Sequence, residues 1–415
     1  GVLAHLAAEN AYKDAMLAHA RALEDKLYAE IVGRIKQDDS SVPYRERGYW
    51  YYRRFDAGQE YPVHARRAGS LEAPEEILLD LEQLARGRDF YDVGEFEVSP
   101  DDRLLAYAED TVGRRQYTLR FKHLASGELL PDVIENVEPA VAWAADSRTV
   151  IYIEKDPQTL LGSRVRMHVL GTDPAADPLV YEEPDDAFYL DVSRSKDGRH
   201  LYIHADSTVS SEQRFADAVD PALEFRLIIP RERDHEYQAE HFDGRWILRS
   251  NWQAPNFRIL EASLAGVEDR SQWRDLVAHR DDAFLHGFSV FSEFLAIEER
   301  SGGLRRVRIR RWQGGDDFHL ASDEPAYRAA LGDNEEVGSH AVRYTYTSLT
   351  TPATTYDYDV HTGERTLLKQ EPVLGGFDPA RYVTEYLWVP ARDGERFPVA
   401  IVHRRDYARD GTAPL

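Results

Sequence analysis

The stretch FEVSPDDRLLAYAED, from Phe96 to Asp110, decides the fold of this chain. Two short runs rich in apolar and aromatic side chains flank the polar turn SPDD, which is typical of two antiparallel strands. The same unit recurs from Tyr44 to about Lys369, with turn landmarks at Gly48, Asp101, Asp146, Asp197, Asp243, Ser292 and Ser339. Successive landmarks are 53, 45, 51, 46, 49 and 47 residues apart. This period predicts a mainly β fold, a seven-bladed β-propeller with four-stranded blades.

A β-sandwich is the alternative, because it also consists of short strands and turns, but it would not require one unit to repeat at a near-constant period. Outside the repeats, apolar residues recur at helical spacing from Val2 to Ile35, which predicts an amphipathic helix interrupted near Asn10. The segment RYVTEYLWVPARDGERFPVAIVHRR predicts a hairpin whose turn is ARDGE, Ala391 to Glu395. Neither segment makes a domain alone.

Composition restricts the class of protein. Apolar residues make up 42% of the chain and aromatic residues 11%, as in soluble globular proteins. No apolar run is long enough for a membrane helix, no secretion signal is visible at the start, and the lack of cysteine excludes disulfides. The formal charge of −23 argues against a nucleic-acid partner, although it permits attraction of cationic ligands. We expect a cytoplasmic protein without a nucleic-acid or membrane partner.

The sequence contains no set of residues that predicts catalysis. It lacks the G-x-S-x-G, G-x-G-x-x-G, Walker and H-E-x-x-H motifs. The metal-capable pairs His204 with Asp206 and His235 with Glu236 have no third ligand nearby in the sequence. We therefore expect no catalytic residue, cofactor site or metal site in this chain, and we interpret His241 as a packing residue.

Propeller geometry groups the loops into two faces. In each blade the loop between the second and third strands shares a face with the connectors between blades, while the tight turns lie on the other face. The loop EDTVGRR places Arg114 and Arg115 on the first face. The connectors expected beside them are acidic, with Asp89, Asp92, Glu95, Glu135, Glu138, Glu182, Glu183, Asp185, Asp186, Asp234, Glu236, Asp281, Asp282, Glu335 and Glu336. This face either docks another domain through ion pairs or simply carries the acids of an acidic protein.

Eight segments carry a resemblance to a known family. They are VLAHLAAENAY, FYDVGEFEVSPDDRLLAYAED, GRRQYTLRFKHLASGE, NVEPAVAW, RDHEY with WILRSN, SLTTPATTYDYDVHTGERTLLKQ and LWVPARDGERFPVAIVHRR. In order and nearly end to end, the chain resembles the oligopeptidase B (protease II) group of the prolyl oligopeptidase family of serine peptidases. The resemblance implies a propeller that caps an α/β-hydrolase domain and cleavage of short peptides after Arg or Lys, without a metal or cofactor.

The resemblance also implies a division of the chain. Residues 1–37 would form a helical segment packed on the hydrolase domain, 38–44 and 375–386 two hinges, 45–374 the propeller and 387–415 the first hydrolase hairpin. The Ser-Asp-His triad would lie in a C-terminal catalytic portion beyond Leu415, where an apolar strand would begin, so we expect a fragment. Arg115 and Asp89 match family positions that form interdomain ion pairs, although relatives carry Glu at the second position. A peptidase of other specificity and a non-enzymatic binding propeller remain alternatives.

Overall fold

The computed structural model of this chain describes residues 1–315 and 317–412. Its two longer helices lie at the beginning of the chain. Helix α1 (Val2–Leu17) is followed by a 3₁₀ turn (Ala18–Ala20) and α2 (Arg21–Val32). The interruption predicted near Asn10 is wrong, because the helix continues through that residue and breaks where the His19 ring bonds to the Met16 carbonyl. No residue of α1 or α2 is buried. No helix among the described residues is both long and apolar enough to cross a membrane.

The described residues after Pro43 form six sheets, in which all strand pairs except one are antiparallel. The first sheet contains β1 (Tyr44–Glu46), β2 (Tyr49–Arg54), β3 (Val63–Ala68) and β4 (Glu75–Asp80), and the short helix α3 (Leu81–Leu84) follows it. The second contains β5 (Asp92–Val98), β6 (Leu104–Asp110), β7 (Tyr117–His123), β8 (Leu129–Trp143), β9 (Thr149–Lys155), β10 (Gly162–Val169) and β11 (Leu179–Glu182). The third contains β12 (Tyr189–Arg194), β13 (His200–Asp206), β14 (Ser211–Asp217) and β15 (Arg226–Ile229).

The last three sheets follow in chain order. The fourth contains β16 (Tyr237–Phe242), β17 (Arg245–Ser250), β18 (Arg258–Ser263) and β19 (Arg274–Val277). The fifth contains β20 (Ala283–Val290), β21 (Phe294–Ser301), β22 (Leu304–Arg311), β23 (Phe318–His319), β24 (Tyr327–Leu331), β25 (Ala341–Ser348), β26 (Thr354–Asp359) and β27 (Arg365–Gln370). The sixth is the hairpin of β28 (Tyr382–Pro390) and β29 (Arg396–Arg404). Three more 3₁₀ turns occur, at Pro174–Ala176, Arg270–Gln272 and Pro379–Arg381.

A four-stranded unit repeats within the larger sheets. Strand β8 bends at Asn136, which has a positive φ of 59°, and its register shifts between Val137 and Val141. Its first half pairs with β7 and its second half with β9, so it ends one unit and begins the next. The fifth sheet likewise joins two units through a single parallel pair, Arg305 with Arg328. The repeated strand-turn-strand unit predicted from Phe96 to Asp110 is therefore confirmed, with strands β5 and β6 flanking its turn.

The core lies between consecutive units, which pack face to face. One apolar layer joins Ile151 and Ile153 of β9 to Leu201 and Ile203 of β13, and all four side chains are buried. The next layer places Trp246 of the fourth sheet, which is completely buried, against side chains of the third. Because each unit is covered on both faces, its strands tolerate fully buried runs, and all seven residues of β6 are buried.

Polar contacts join the last described strands of the propeller-like region to its beginning. Arg343 of β25 donates a hydrogen bond of 2.6 Å to the Pro43 carbonyl. Lys369 of β27 lies 2.6 Å from an Asp39 carboxylate oxygen and also donates to the Ser40 carbonyl. The strand ladder itself does not run across this junction, because β1–β4 and β20–β27 belong to separate sheets.

The hairpin predicted at the end of the chain is present. Its turn spans Ala391 to Glu395, as the ARDGE motif predicts, and Tyr386 of β28 donates a hydrogen bond of 2.7 Å to the Gly302 carbonyl. Strand β28 begins at Tyr382, inside the segment predicted as a hinge. The strand expected to begin at Leu415 lies outside the described residues.

Candidate functional site: the loop face and the central cavity

The loops between second and third strands lie at the same end of the sheets as the connectors between units. The Asn251 side chain of one such loop donates to the Asp234 carbonyl of a connector, at 3.2 Å. Asn256 likewise reaches the carbonyls of Arg280 and Asp281, both at 3.0 Å. We call this end the loop face: it comprises the loops after β2, β6, β9, β13, β17, β21 and β25 and the connectors. The opposite end, with the tight turns, is the turn face.

A buried carboxylate shapes the loop that carries the two predicted arginines. Asp110, at the end of β6, accepts hydrogen bonds from the backbone N–H groups of Val112, Gly113 and Arg115, at 2.8 to 3.0 Å. Arg115 has a positive φ of 54°, a conformation that costs energy for a residue with a Cβ. The three hydrogen bonds to Asp110 offset that cost and fix the loop.

A second charge ties this loop to the neighbouring connector. The Lys155 ammonium, at the end of β9, donates to the Arg115 carbonyl at 2.9 Å and lies 3.0 Å from a Glu138 carboxylate oxygen. Sequence reasoning selected Glu138 and Arg115 but missed Lys155 and the anchoring role of Asp110. A lysine at the end of a predicted strand beside an acidic connector is the only sequence signal that could have indicated this link.

The guanidinium groups of Arg114 and Arg115 remain exposed, and neither forms an ion pair with any residue in 1–315 or 317–412. Asp89 is also exposed, and its neighbour Phe90 packs beside Gly113, where an added Cβ would lie 3.3 Å from the ring. The structure therefore brings Asp89, Arg114, Arg115 and Glu138 to one region of the loop face. Their role in docking or substrate binding stays a prediction.

Many connector acids are already neutralised within the sheets. Glu183 is almost completely buried and pairs with Arg231, which also contacts Glu212 at 3.2 Å. Arg280 pairs with Asp282 at 2.6 Å. These ion pairs show that some of the connector acids stabilise their own connectors. For those residues the interpretation that the face simply carries the acids of an acidic protein is sufficient.

The placement of Glu335 and Glu336 among the connectors is wrong. Both residues lie between β24 and β25, the first two strands of a unit, and so belong to the turn face. The neighbouring Val337 carbonyl accepts a hydrogen bond of 2.8 Å from Ser292, in the tight turn after β20. Sequence reasoning missed the short strand β24 and therefore assigned this segment to the wrong end of the sheet.

A central cavity of about 840 Å³ lies along the first strands of four units. Its wall includes residues of β1, β5, β8 and β12 and the segment from Glu335 to Val337. Six acidic residues line it, with Arg47, Arg194 and Lys196 as the nearby cations; the acids are Glu46, Glu95, Glu97, Asp197, Glu335 and Glu336. The predicted connector residue Glu95 is thus an inner-strand residue whose side chain faces the cavity.

Burial changes the ionisation of the cavity carboxylates. It raises the pKa of Glu95 to about 7, with a smaller effect from Asp191. It raises the pKa of Glu97 to about 8, aided by the charges of Glu46 and Glu95. Each carboxyl is partly open to the cavity, so an incoming cation could restore its charge. The cavity can therefore accept a cationic group by releasing protons.

A lysine closes part of the cavity wall at the turn face. The Lys196 ammonium donates to the Ser289 hydroxyl at 2.8 Å and to the Val290 carbonyl at 2.7 Å, and it lies 3.8 Å from the Phe291 ring centroid. Burial lowers its pKa to about 8. The lysine joins the third sheet to the fifth, a link between residues about ninety positions apart that no local sequence pattern indicates.

Comparison with known proteins identifies the architecture. Residues 1–371 match the family described as prolyl oligopeptidase, N-terminal beta-propeller domain. The chain belongs to the prolyl oligopeptidase family. The resemblance predicted from the sequence is confirmed, because residues 1–371 correspond to the N-terminal propeller domain of this family.

Curated relatives in the prolyl oligopeptidase family match the whole chain. It is 52% identical to a dipeptidyl aminopeptidase BI from Pseudoxanthomonas mexicana and covers 59% of that protein. It is 30% identical to a protease 2 from Moraxella lacunata and covers 60% of it. The chain thus spans about three fifths of the length of these relatives.

Solved structures of the family have the same fold. An oligopeptidase B from Leishmania major superposes with a TM-score of 0.89 at 29% identity, over 98% of this chain and 58% of that one. An oligopeptidase B from Trypanosoma brucei with covalently bound antipain, in a closed form, gives 0.87 at 28% identity, over 98% of this chain and 59% of that one. These matches agree with the mainly β architecture and its N-terminal helices.

Proposed function

We propose that this chain is the gating and size-filtering part of a serine oligopeptidase that hydrolyses short peptides after Arg or Lys. The observation that carries the proposal is the central cavity, which is lined by carboxylates and lies in a propeller portion of this peptidase family. Glu95 and Glu97 can release their protons when a cationic group enters, so the cavity favours cationic peptides over acidic ones. No metal or cofactor is part of the proposal.

The proposed partner is a C-terminal α/β-hydrolase catalytic portion of the same protein, which would hold the Ser-Asp-His triad. The contact from Tyr386 to Gly302 lays the β28–β29 hairpin against the loop face, and a domain that continues from the hairpin would cover this face. Exposed apolar side chains on α1 and on the hairpin, such as Leu3 and Trp388, offer the same domain a packing surface. We keep the proposed boundaries 1–37, 38–44, 45–374, 375–386 and 387–415.

We further propose that the units close into seven blades. Counting β8 twice, strands β1 to β27 provide seven groups of four. The contacts of Arg343 and Lys369 with residues 39–43 support closure between the last group and the first. Because the last group and the first share no strand, these polar contacts would hold the closed ring together at this junction.

Arg115, Arg114 and Asp89 are proposed to pair with the catalytic domain when the enzyme closes. Their exposure on the loop face supports this role, since the loop backbone is already fixed by Asp110 and Lys155. In the full-length enzyme, Arg115→Ala should lower kcat/KM about fivefold, the value of an ion pair of about 1 kcal/mol. Arg103→Ala, on an exposed turn-face residue, is the matched control. If Arg115→Ala and Arg103→Ala have the same kcat/KM, the proposed role of Arg115 in pairing with the catalytic domain is wrong.

A second candidate function is removal of dipeptides from free N-termini. The 52% identity to a dipeptidyl aminopeptidase BI favours it. The deciding experiment gives the full-length enzyme one Arg-containing peptide in free and N-acetylated form and identifies the products by mass spectrometry. Internal cleavage of both forms after Arg supports the oligopeptidase. Dipeptide release from the free form alone supports the aminopeptidase, and cleavage of neither contradicts both.

The size filter needs its own test. The same Arg-containing segment would be offered as a short peptide and as an exposed loop of a folded protein. We expect hydrolysis of the short peptide alone, because a propeller that covers the active site excludes folded chains. Equal rates on both substrates would contradict gating.

A further inference from the structure

Two histidines and a glutamate from three separate turns meet on the turn face. Glu293 lies in the turn between β20 and β21, His340 immediately precedes β25, and His361 lies in the turn between β26 and β27. One ligand atom of each lies within 4.8 Å of those of the other two. We call these residues the histidine cluster. It lies at the opposite end of the sheets from the loop face.

The backbone holds the histidine cluster in place. The His340 carbonyl accepts a hydrogen bond of 3.0 Å from the N–H of Val360, the residue before His361. The Glu293 carbonyl accepts one of 3.0 Å from Trp312. The two imidazole rings are 4.3 Å apart between centroids and tilted by 35°. Three ligands carried on connected turns lose little backbone freedom when they bind an ion together.

The distances between the ligand atoms are close to those of a metal site. His361 Nε2 lies 2.5 Å from one Glu293 oxygen, and His340 Nδ1 lies 3.7 Å from the other. Zinc bonds of about 2.0–2.2 Å in tetrahedral geometry place neighbouring ligand atoms roughly 3.3–3.5 Å apart. Because the three side chains are about half exposed, small rotations reach this spacing and an ion can approach from water.

We propose that Glu293, His340 and His361 bind one divalent transition-metal ion of the zinc class, with water completing the coordination. Two imidazoles and one carboxylate suit Zn²⁺ and its neighbours, whereas Ca²⁺ and Mg²⁺ prefer oxygen ligands alone. The ion replaces the hydrogen bond between His361 and Glu293. It links the β20–β21 turn to the last four strands. This site departs from the sequence-based expectation, which considered only neighbouring residues and so missed ligands 68 positions apart.

Zn²⁺ binding should not depend on peptide substrate, because the histidine cluster lies on the turn face. Occupancy should also raise the melting temperature, since the ion binds the folded state only.

The test is calorimetric titration of tag-free, full-length protein with ZnCl₂, comparing the natural sequence with His340→Gln, His361→Gln and the double variant. We expect the natural sequence to bind one equivalent of Zn²⁺. Each single variant should bind it at least tenfold more weakly, and the double variant should not bind it. His123→Gln is the matched control, because His123 is an exposed histidine at the end of β7 on the same face.

Co²⁺ provides an independent readout, because its visible absorption reports tetrahedral coordination by nitrogen and oxygen. The Co²⁺ spectrum should appear in the natural sequence and in His123→Gln, and it should be absent from the double variant. Equal Zn²⁺ affinity in the double variant and the natural sequence would overturn the proposal. So would the absence of Zn²⁺ binding in a protein whose melting temperature and circular dichroism show it to be folded.

Discussion

Lys155 and Glu138 form an ion pair of 3.0 Å in which the lysine side chain is only 5% exposed. The same ammonium donates to the Arg115 carbonyl. One buried charge therefore connects a loop-face connector to the loop that presents the two predicted arginines, so the position of those arginines depends on a residue 40 positions away.

Lys155→Met should lower the free energy of unfolding by about 1–3 kcal/mol, because it leaves a partly buried carboxylate and a carbonyl without their donor. Urea denaturation of the full-length protein measures the change, with Arg103→Met, an exposed substitution, as the control. If both variants unfold at the same urea concentration, the link contributes nothing to stability.

Gly303→Ala should displace the β28–β29 hairpin from the loop face. Gly303 has a φ of +80°, and an added Cβ would lie 2.1 Å from the Tyr386 hydroxyl oxygen and 2.6 Å from Pro398. Gly302→Ala is the matched control, because that glycine also has a positive φ but an added Cβ meets nothing within 4 Å. Both should cost about 1 kcal/mol in backbone strain.

Hydrogen–deuterium exchange separates these two variants. Residues 382–404 should exchange faster in Gly303→Ala than in Gly302→Ala. Indistinguishable exchange would mean that the hairpin does not depend on this contact.

Arg343→Met should weaken the junction between the last sheet and the first. Arg343 makes two hydrogen bonds to Asp357, at 2.8 and 3.0 Å, and one to the Pro43 carbonyl, and its side chain is 10% exposed. Removing one partner of such a buried pair costs about 3–5 kcal/mol. Thermal unfolding would show the loss, and the exposed Arg328→Met on β24 should leave the melting temperature nearly unchanged.

Glu97→Gln should flatten the pH dependence of stability. Burial raises the pKa of Glu97 from 4.5 to about 8, so the folded protein holds this proton more tightly than the unfolded chain does. The contribution of Glu97 to stability is present below pH 4.5 and is lost as the pH rises towards about 8. The glutamine of the variant does not ionise, so the free energy of unfolding of the variant should fall less between about pH 5 and 8 than that of the natural sequence. A parallel decline in both proteins would contradict the prediction, and the exposed Glu128→Gln serves as control.

Local chemistry made the repeat predictable. Asp101 and the turn around it mark the end of one strand and the beginning of the next, and ARDGE marks the turn of the last hairpin, so strand order followed from turn residues. The helix break could not be found, because Ala18–Ala20 contains neither glycine nor proline. Glu335 was misplaced because β24 is short and its pairing with β25 depends on tertiary contacts.

The candidate site was less predictable than the fold, for a physical reason. Arg115 could be assigned to a loop and a face, but the groups that hold it, Asp110 and Lys155, act through backbone hydrogen bonds. Glu97 lies on an ordinary strand, and only the convergence of several inner strands turns it into a cavity residue with a raised pKa.

The contact between Lys369 and Asp39 has a consequence for protein engineering. Residues 39 and 369 are neighbours in space, so the chain enters and leaves the sheet region at one point, like an insertion in a host domain. A linker of a few residues should therefore be able to replace residues 40–368 without stretching the flanking segments. Conversely, the excised sheets could be grafted into a surface loop of an unrelated protein.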